Sequence, residues 1–263
     1  MAKITLIGSG NVGWHLGRAL MNAGHSIDSV YSHSYSNAKA LADLLPGCSV
    51  ANDTDFSKSN SDVFIVAVRD NALEEIISKI NIPAEAVIAH TSGSMPMEVL
   101  NKFSHYGVFY ALQTFTKGKE INIGEVPFGI EASDESAYQR LEVLALSLSK
   151  KVERIDSAQR KVIHIAAVFA CNFTNHLFSI SKDILEKERM NFELLEPLIK
   201  ETLQKAFVLS PEMAQTGPAI RREEKIIQQH LDYLQNRPEV QQLYKLISES
   251  IMKEERRSSE GEN

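Results

Sequence analysis

The chain's apolar and polar positions fall into two regimes. Up to residue 156, short apolar runs alternate with amphipathic stretches. Runs of strand type lie at 3–7, 26–31, 49–51, 62–68, 86–90, 108–111, 128–131 and 151–155. The run DVFIVAV at 62–68 is continuously apolar, as expected of a strand covered on both faces of a parallel sheet. Between the runs, 11–24, 37–45, 71–80, 97–103 and 136–149 carry helical spacing, with Gly24 and Pro46-Gly47 as stop signals. This alternation predicts a doubly wound α/β domain. After Asp156 the strand signals vanish, and 158–188, 194–209, 220–234 and 239–253 read as helices. The predicted organisation is a Rossmann-type domain over 1–156, an all-helical domain over 157–253 and a disordered polar tail over 254–263.

The most informative segment is Gly8-Ser9-Gly10-Asn11-Val12-Gly13. A G-x-G-x-x-G pattern is weak alone, but here a strand precedes it and a helix opens inside it. Gly8 permits the tight turn, Gly10 lets a pyrophosphate approach the backbone, and Gly13 lets helix and strand pack closely. The free amides of the helix N-terminus then face the phosphates. The second strand ends in Tyr31-Ser32-His33-Ser34. Asp28, the nearest carboxylate, falls too early in that strand to meet an adenosine ribose. Ser32, His33 and Ser34 can instead bond a 2′-phosphate. NADP is therefore the expected cofactor, with NAD the alternative because no arginine stands there.

Charge narrows the partners. The net charge of −6 makes general nucleic-acid binding a poor expectation. No run of eighteen apolar residues predicts a membrane span, and no leader pattern opens the chain. Cys48 and Cys171 are far apart, without metal-ligand spacing, so no metal is expected and a reduced cytoplasmic protein is the simple reading.

Ligands of such a sheet lie beyond the C-terminal strand ends. Val68 is placed beside the dinucleotide, and Asp70 reads as the N-cap of the next helix. His90 and Ser92, in His90-Thr91-Ser92-Gly93-Ser94, face the same crevice; a His90 satisfied by backbone is the competing reading. Gln113 and Thr114 are candidate substrate-side polar residues. In the apolar helix HIAAVFACNFTN, His164 and Asn175 share one face, with Asn172 two turns below His164. A site-lining helix and an ordinary core helix explain it equally well. In QTGPAIRR, Gly217-Pro218 is expected to start a helix capped by Thr216, with Arg221 as an anion anchor or a plain surface arginine.

GSGNVG, VRDNAL, HTSGS, YALQTF, HIAAVFACNFTNHLF and QTGPAIRR together resemble the Rossmann-like oxidoreductases that carry a C-terminal helical domain of unknown function. These belong to the superfamily of 6-phosphogluconate dehydrogenase, ketopantoate reductase and pyrroline-5-carboxylate reductase. The resemblance implies NAD(P) binding, a site between the domains and a homodimer formed through the helical domain; it implies no substrate. Where relatives often have His-Pro, this chain has Tyr110-Ala111. The lysine acid of several superfamily dehydrogenases is also missing, since Lys182 lies off the His/Asn face. The expected activity is hydride transfer between NADP and a small, anionic metabolite. His164 serves as proton donor or orienting group, and Asn172 and Asn175 hold the substrate. A non-catalytic NAD(P)-binding regulator is the alternative, and a flavin or another nucleotide in the turn is a third reading.

Overall fold

The computed structural model describes the backbone of residues 1–260 and side chains through Lys253. Two compact units make up the chain, Met1–Asn172 and Phe173–Asn263.

The first unit is built on an eight-stranded sheet of order β3-β2-β1-β4-β5-β6-β7-β8. The strands are β1 (Lys3–Ile7), β2 (Ser26–Tyr31), β3 (Ser49–Val50), β4 (Val63–Val66), β5 (Val87–His90), β6 (His105–Ala111), β7 (Phe128–Ala132) and β8 (Val152–Arg154). β1 to β6 run parallel, each pair joined through a crossover. β4 and β5 are buried at every position, which explains their unbroken apolar runs. β7 is antiparallel to β6, and the connection from Ala111 to Phe128 carries no α-helix, only a 3-10 turn at Ile123–Glu125. β8 then pairs parallel to β7. The helices of this unit are α1 (Asn11–Asn22), α2 (Tyr35–Ala42), α3 (Asp70–Lys79), α4 (Glu135–Leu146) and α5 (Ser157–Ala167). Asp134 caps α4 on the Ala137 amide, and Asp156 closes a capping box with Gln159 at α5. Asp70, expected as an N-cap, is instead the first residue of α3; Arg69 holds the cap position and no side chain bonds the helix amides there. Strand order reverses on either side of β1, which makes the C-terminal ends of β1 and β4 the switch point where such sheets bind ligands.

The helical run after α5 is not α-helical throughout. Val168–Phe173 is a π-helix, followed by α6 (Thr174–Lys187). Its wider turn breaks the 3.6-residue period that placed His164 and Asn175 on one face. The helical stretch Ser157–Lys187 passes, by length and composition, as long and apolar enough to cross a membrane, with a mean hydropathy of 1.3 over its most apolar window. No eighteen-residue apolar run marked it, because His164 and Asn172 interrupt the pattern.

The second unit continues with α7 (Glu196–Leu209), α8 (Pro211–Ala214), α9 (Glu224–Tyr233) and α10 (Pro238–Glu260). Pro218 does not start a helix: α9 begins at Glu224, after Arg222 takes a left-handed φ of 54°. α10 runs on to Glu260, across most of the stretch expected to be disordered. Glu254, Glu255, Arg256 and Arg257 are good helix formers, and no Gly or Pro lies between Pro238 and Gly261. Residues 261–263 of that expected tail lie outside the described residues. Leu194, Leu198, Phe207, Val208 and Met213 are all exposed in this unit, Phe207 to 91%.

Candidate active site

The turn after β1 has the geometry a dinucleotide needs. Gly8 sits at φ 117°, and its amide donates to Tyr31 O at the end of β2 (2.8 Å). A Cβ on Gly8 would lie 2.2 Å from Ala67 O, and one on Gly13 would lie 2.2 Å from Gly8 O. Both glycines are therefore required by close backbone packing. Gly10 differs: nothing lies within 4 Å of a Cβ built there. It is the N-cap of α1 and offers no side-chain cap, so the first helix amides stay open on that side. The turn is a cradle closed beneath by Gly8 and Gly13 and open above Gly10, which fits a pyrophosphate. Ser9 is buried, Val12 is half-buried, and Val68 packs beside Gly8. Asn11 does something unforeseen: its Oδ1 accepts from the amide of Lys117 (3.3 Å).

At the end of β2, Ser34 caps α2 by accepting from Asn37 N (3.4 Å), while Ser32 and His33 follow the strand directly. The early carboxylate Asp28 is paired with Lys3 at 2.8 Å. It is therefore engaged on the strand and not at its end.

A second cluster forms where β5, β6 and α5 meet. His90 is 0% exposed, and both of its nitrogens serve its own loop. Nδ1 accepts from Ser92 N (3.2 Å) and Nε2 donates to Pro96 O (3.3 Å). The backbone-satisfied reading of His90 therefore holds, and its burial keeps it from meeting a substrate. Desolvation, reinforced by the Arg160 charge, lowers its pKa to about 4. The unfolded chain takes up this proton near pH 6.5 while the folded chain does so only near 4, so stability should fall as pH drops between those values. Urea midpoints from pH 7.5 to 4 should show that slope, and His90→Asn should flatten it; equal slopes in both proteins would remove His90 from the account.

Ser92 accepts from Ser94 N (3.1 Å) and Met95 N (3.0 Å), which shapes the loop. Gly93 then passes directly against His164: a Cβ on it would lie 2.5 Å from Nδ1 and 3.0 Å from Tyr110 Cε2. Tyr110 Oη stands 3.3 Å from His164 Nδ1. Burial raises the Tyr110 pKa, opposed by the nearby Arg160 charge.

Arg160, one turn before His164 on α5, is 1% exposed and anchors the whole arrangement. It pairs with Glu131 of β7 through Nη1. Through Nη2 it donates to Met95 O (2.6 Å) and Ser157 Oγ (3.0 Å). Glu131 in turn accepts from Ser157 N (3.0 Å) and Ser157 Oγ (2.8 Å). Met97 N donates to the same hydroxyl (3.1 Å). One buried guanidinium thus ties the 90–97 loop and the start of α5 to the sheet. Sequence reading passed over Arg160, Glu131 and the bonding role of Tyr110. The available signal was an arginine four residues before His164, one turn away on the same helix.

Gln113 Oε1 accepts from Thr114 N (2.7 Å), and both residues are exposed on the loop after β6. Asn172 is exposed in the π-helix, and Asn175 belongs to the second unit. In that unit Arg221 is forked onto Glu223 at 3.0 and 2.9 Å. Gly217 takes a φ of 108°, and Thr216 O accepts from Gln215 Nε2 (2.9 Å).

Two family models match the chain: a Rossmann-like domain over residues 1–112 and a domain of unknown function (DUF2520) over 126–251. Among curated proteins none matches the sequence. Among solved structures, a "putative NADP oxidoreductase" from Bacteroides fragilis is 40% identical, with TM-score 0.87, covering 96% of this chain and 98% of that one. A Thermotoga maritima protein is 23% identical, with TM-score 0.71 over 98% of this chain and 99% of the other. A reductive aminase from Aspergillus terreus, in complex with NADPH and ethyl-5-oxohexanoate, shares the fold at 16% identity, with TM-score 0.73 over 97% and 94% of the two chains. The chain belongs to the family that joins an N-terminal Rossmann-like domain to a C-terminal DUF2520 domain.

Proposed function

We propose that this protein is an NADP-dependent oxidoreductase acting on a small carbonyl or imine compound. The carrying observation is the cradle over Gly10, closed beneath by two obligatory glycines and open where a pyrophosphate must approach. The 40%-identical relative named for NADP supports the choice of cofactor. So does the absence of a free carboxylate at the end of β2, since Asp28 is paired with Lys3. When bound, the nicotinamide supplies or accepts the hydride.

The chain's own contribution is the placing of a proton. Burial raises the Tyr110 pKa and so holds the phenol's proton in place; in this reading that O–H is the donor to His164 Nδ1. His164 then carries a proton on Nε2 that passes to an alkoxide as it forms, while Nδ1 takes the Tyr110 proton and leaves the phenolate. Gly93 holds the ring from the other side. Of the expected trio His164, Asn172 and Asn175, His164 takes this role; a π-helix at Val168–Phe173 lies between it and Asn175. Titration of the purified protein with NADPH and NADH, followed by a panel of ketones and amines, tests the reading. Tighter binding of NADPH is expected. His164→Ala should keep that binding and lower turnover by roughly 10²–10⁴-fold. No affinity for either dinucleotide overturns the proposal.

The exposed apolar side chains of the second unit, and those of Val162 and Phe169 on the helix before it, fit a homodimer better than a lone chain. A lipid-crossing role suits the 157–187 helix poorly, because its first turn is tied into the sheet by Arg160 and Glu131. Sedimentation velocity at micromolar concentration should report twice the chain mass; a single-chain mass rules the dimer out.

A further inference from the structure

The loop between β6 and β7 turns back over α1, and three contacts hold it there. His15 Nε2 donates to Thr116 O (2.9 Å). The His15 and Phe115 rings lie 5.0 Å apart. Lys117 N donates to Asn11 Oδ1 (3.3 Å). Asn11 is the first residue of α1, next to the open Gly10. A tight turn sits on this anchor: Lys119 N donates to Thr116 O (3.2 Å), and Gly118 takes a φ of 82°. That geometry puts Lys117 at the first central position of a type II turn. Lys117 and Lys119 are both exposed.

The charge balance gives this loop its meaning. No lysine or arginine occurs from Gly8 to Leu16, so the turn meets phosphates with backbone amides alone. The first basic residue of α1, Arg18, is stacked on the Trp14 ring at 4.4 Å. A pyrophosphate carries two negative charges, and a partial helix charge offsets only part of them. Among the described residues, the segment whose backbone bonds the side chain of the first residue of α1 brings a lysine, Lys117.

We infer that residues 113–119 form a strap across the cofactor's pyrophosphate, in which Lys117 supplies the cation missing from the glycine turn. Asn11 holds the strap, and does not itself bind phosphate. The four-carbon stem of Lys117 starts beside Asn11 and brings a mobile point charge to the phosphates. The inference rests on the reading that NADP occupies the turn.

Two measurements on the full chain test it, neither needing a substrate. In the first, NADPH affinity is measured by fluorescence from 50 to 500 mM salt. Lys117→Ala should weaken binding about tenfold at low salt and flatten the salt dependence, as loss of one charge-assisted contact requires. Asn11→Ala should weaken it in the same direction. In the second, trypsin cleavage after Lys117 and Lys119 should slow several-fold when NADPH saturates the wild-type protein. If wild-type protein binds NADPH but Lys117→Ala binds equally well with the same salt slope, and cleavage does not slow, the strap is wrong while the cofactor reading stands. If wild-type protein binds no NADPH, both fall together.

Discussion

Arg160→Met should lower the free energy of unfolding by about 3–5 kcal/mol, the cost of stranding one member of a buried ion pair. The guanidinium is 1% exposed and Glu131 is nearly buried, so water cannot replace the lost partner cheaply. Three acceptors each lose a donor at once: the Glu131 carboxylate, Met95 O and Ser157 Oγ. A loss of this size is a large share of the ~5–15 kcal/mol that typical domains possess. The double variant Arg160→Met/Glu131→Met should recover much of it, because replacing both charges removes the stranded one. Urea unfolding of the three proteins checks the claim, and a single-variant loss under about 1 kcal/mol would falsify it. Hydrogen exchange adds a local readout. Amides of the 90–97 loop should exchange faster in Arg160→Met, since Met95 and Met97 both depend on the Arg160–Ser157 network. The loop that holds Gly93 against His164 would loosen with them.

Gly10→Ala should leave the fold unchanged and weaken NADPH binding by tenfold or more, about 1.4 kcal/mol. Gly10 takes an ordinary φ of −70°, and a methyl group there meets nothing within 4 Å. The protein without cofactor therefore has no reason to resist the change. The methyl group instead occupies the space through which the pyrophosphate reaches the helix amides. Gly8→Ala and Gly13→Ala serve as contrasts. Each drives a Cβ to 2.2 Å from a backbone oxygen, so each should lower the melting temperature as well as the affinity. Calorimetry with matched titrations separates the two classes. Unaltered affinity in Gly10→Ala would mean the phosphates do not pass over that residue.

Local pattern alone was enough to determine the nucleotide-binding half. The apolar run of β4, the glycine spacing and the alternation of strand and helix are short-range features, and they dictate a parallel sheet with a phosphate turn at its switch point. The expected strands at 3–7 and 26–31 match β1 and β2 residue for residue. The reversed direction of β7 needed the fold, because pattern does not reveal whether a long connection crosses over. The Tyr110–His164–Arg160 cluster also needed it. Tyr110 and His164 lie 54 positions apart, and Arg160 meets Met95 across 65. The Asn11–Lys117 bond spans 106. Spacing along a chain carries no record of such encounters, since they depend on how sheet and helix pack. Helical periodicity misled where it was extended past its range, because the π-helix at 168–173 changes the turn without any mark in residue type. Residue chemistry and short-range order thus sufficed for the glycine turn, while packing between distant segments decided which side chains meet across the sheet.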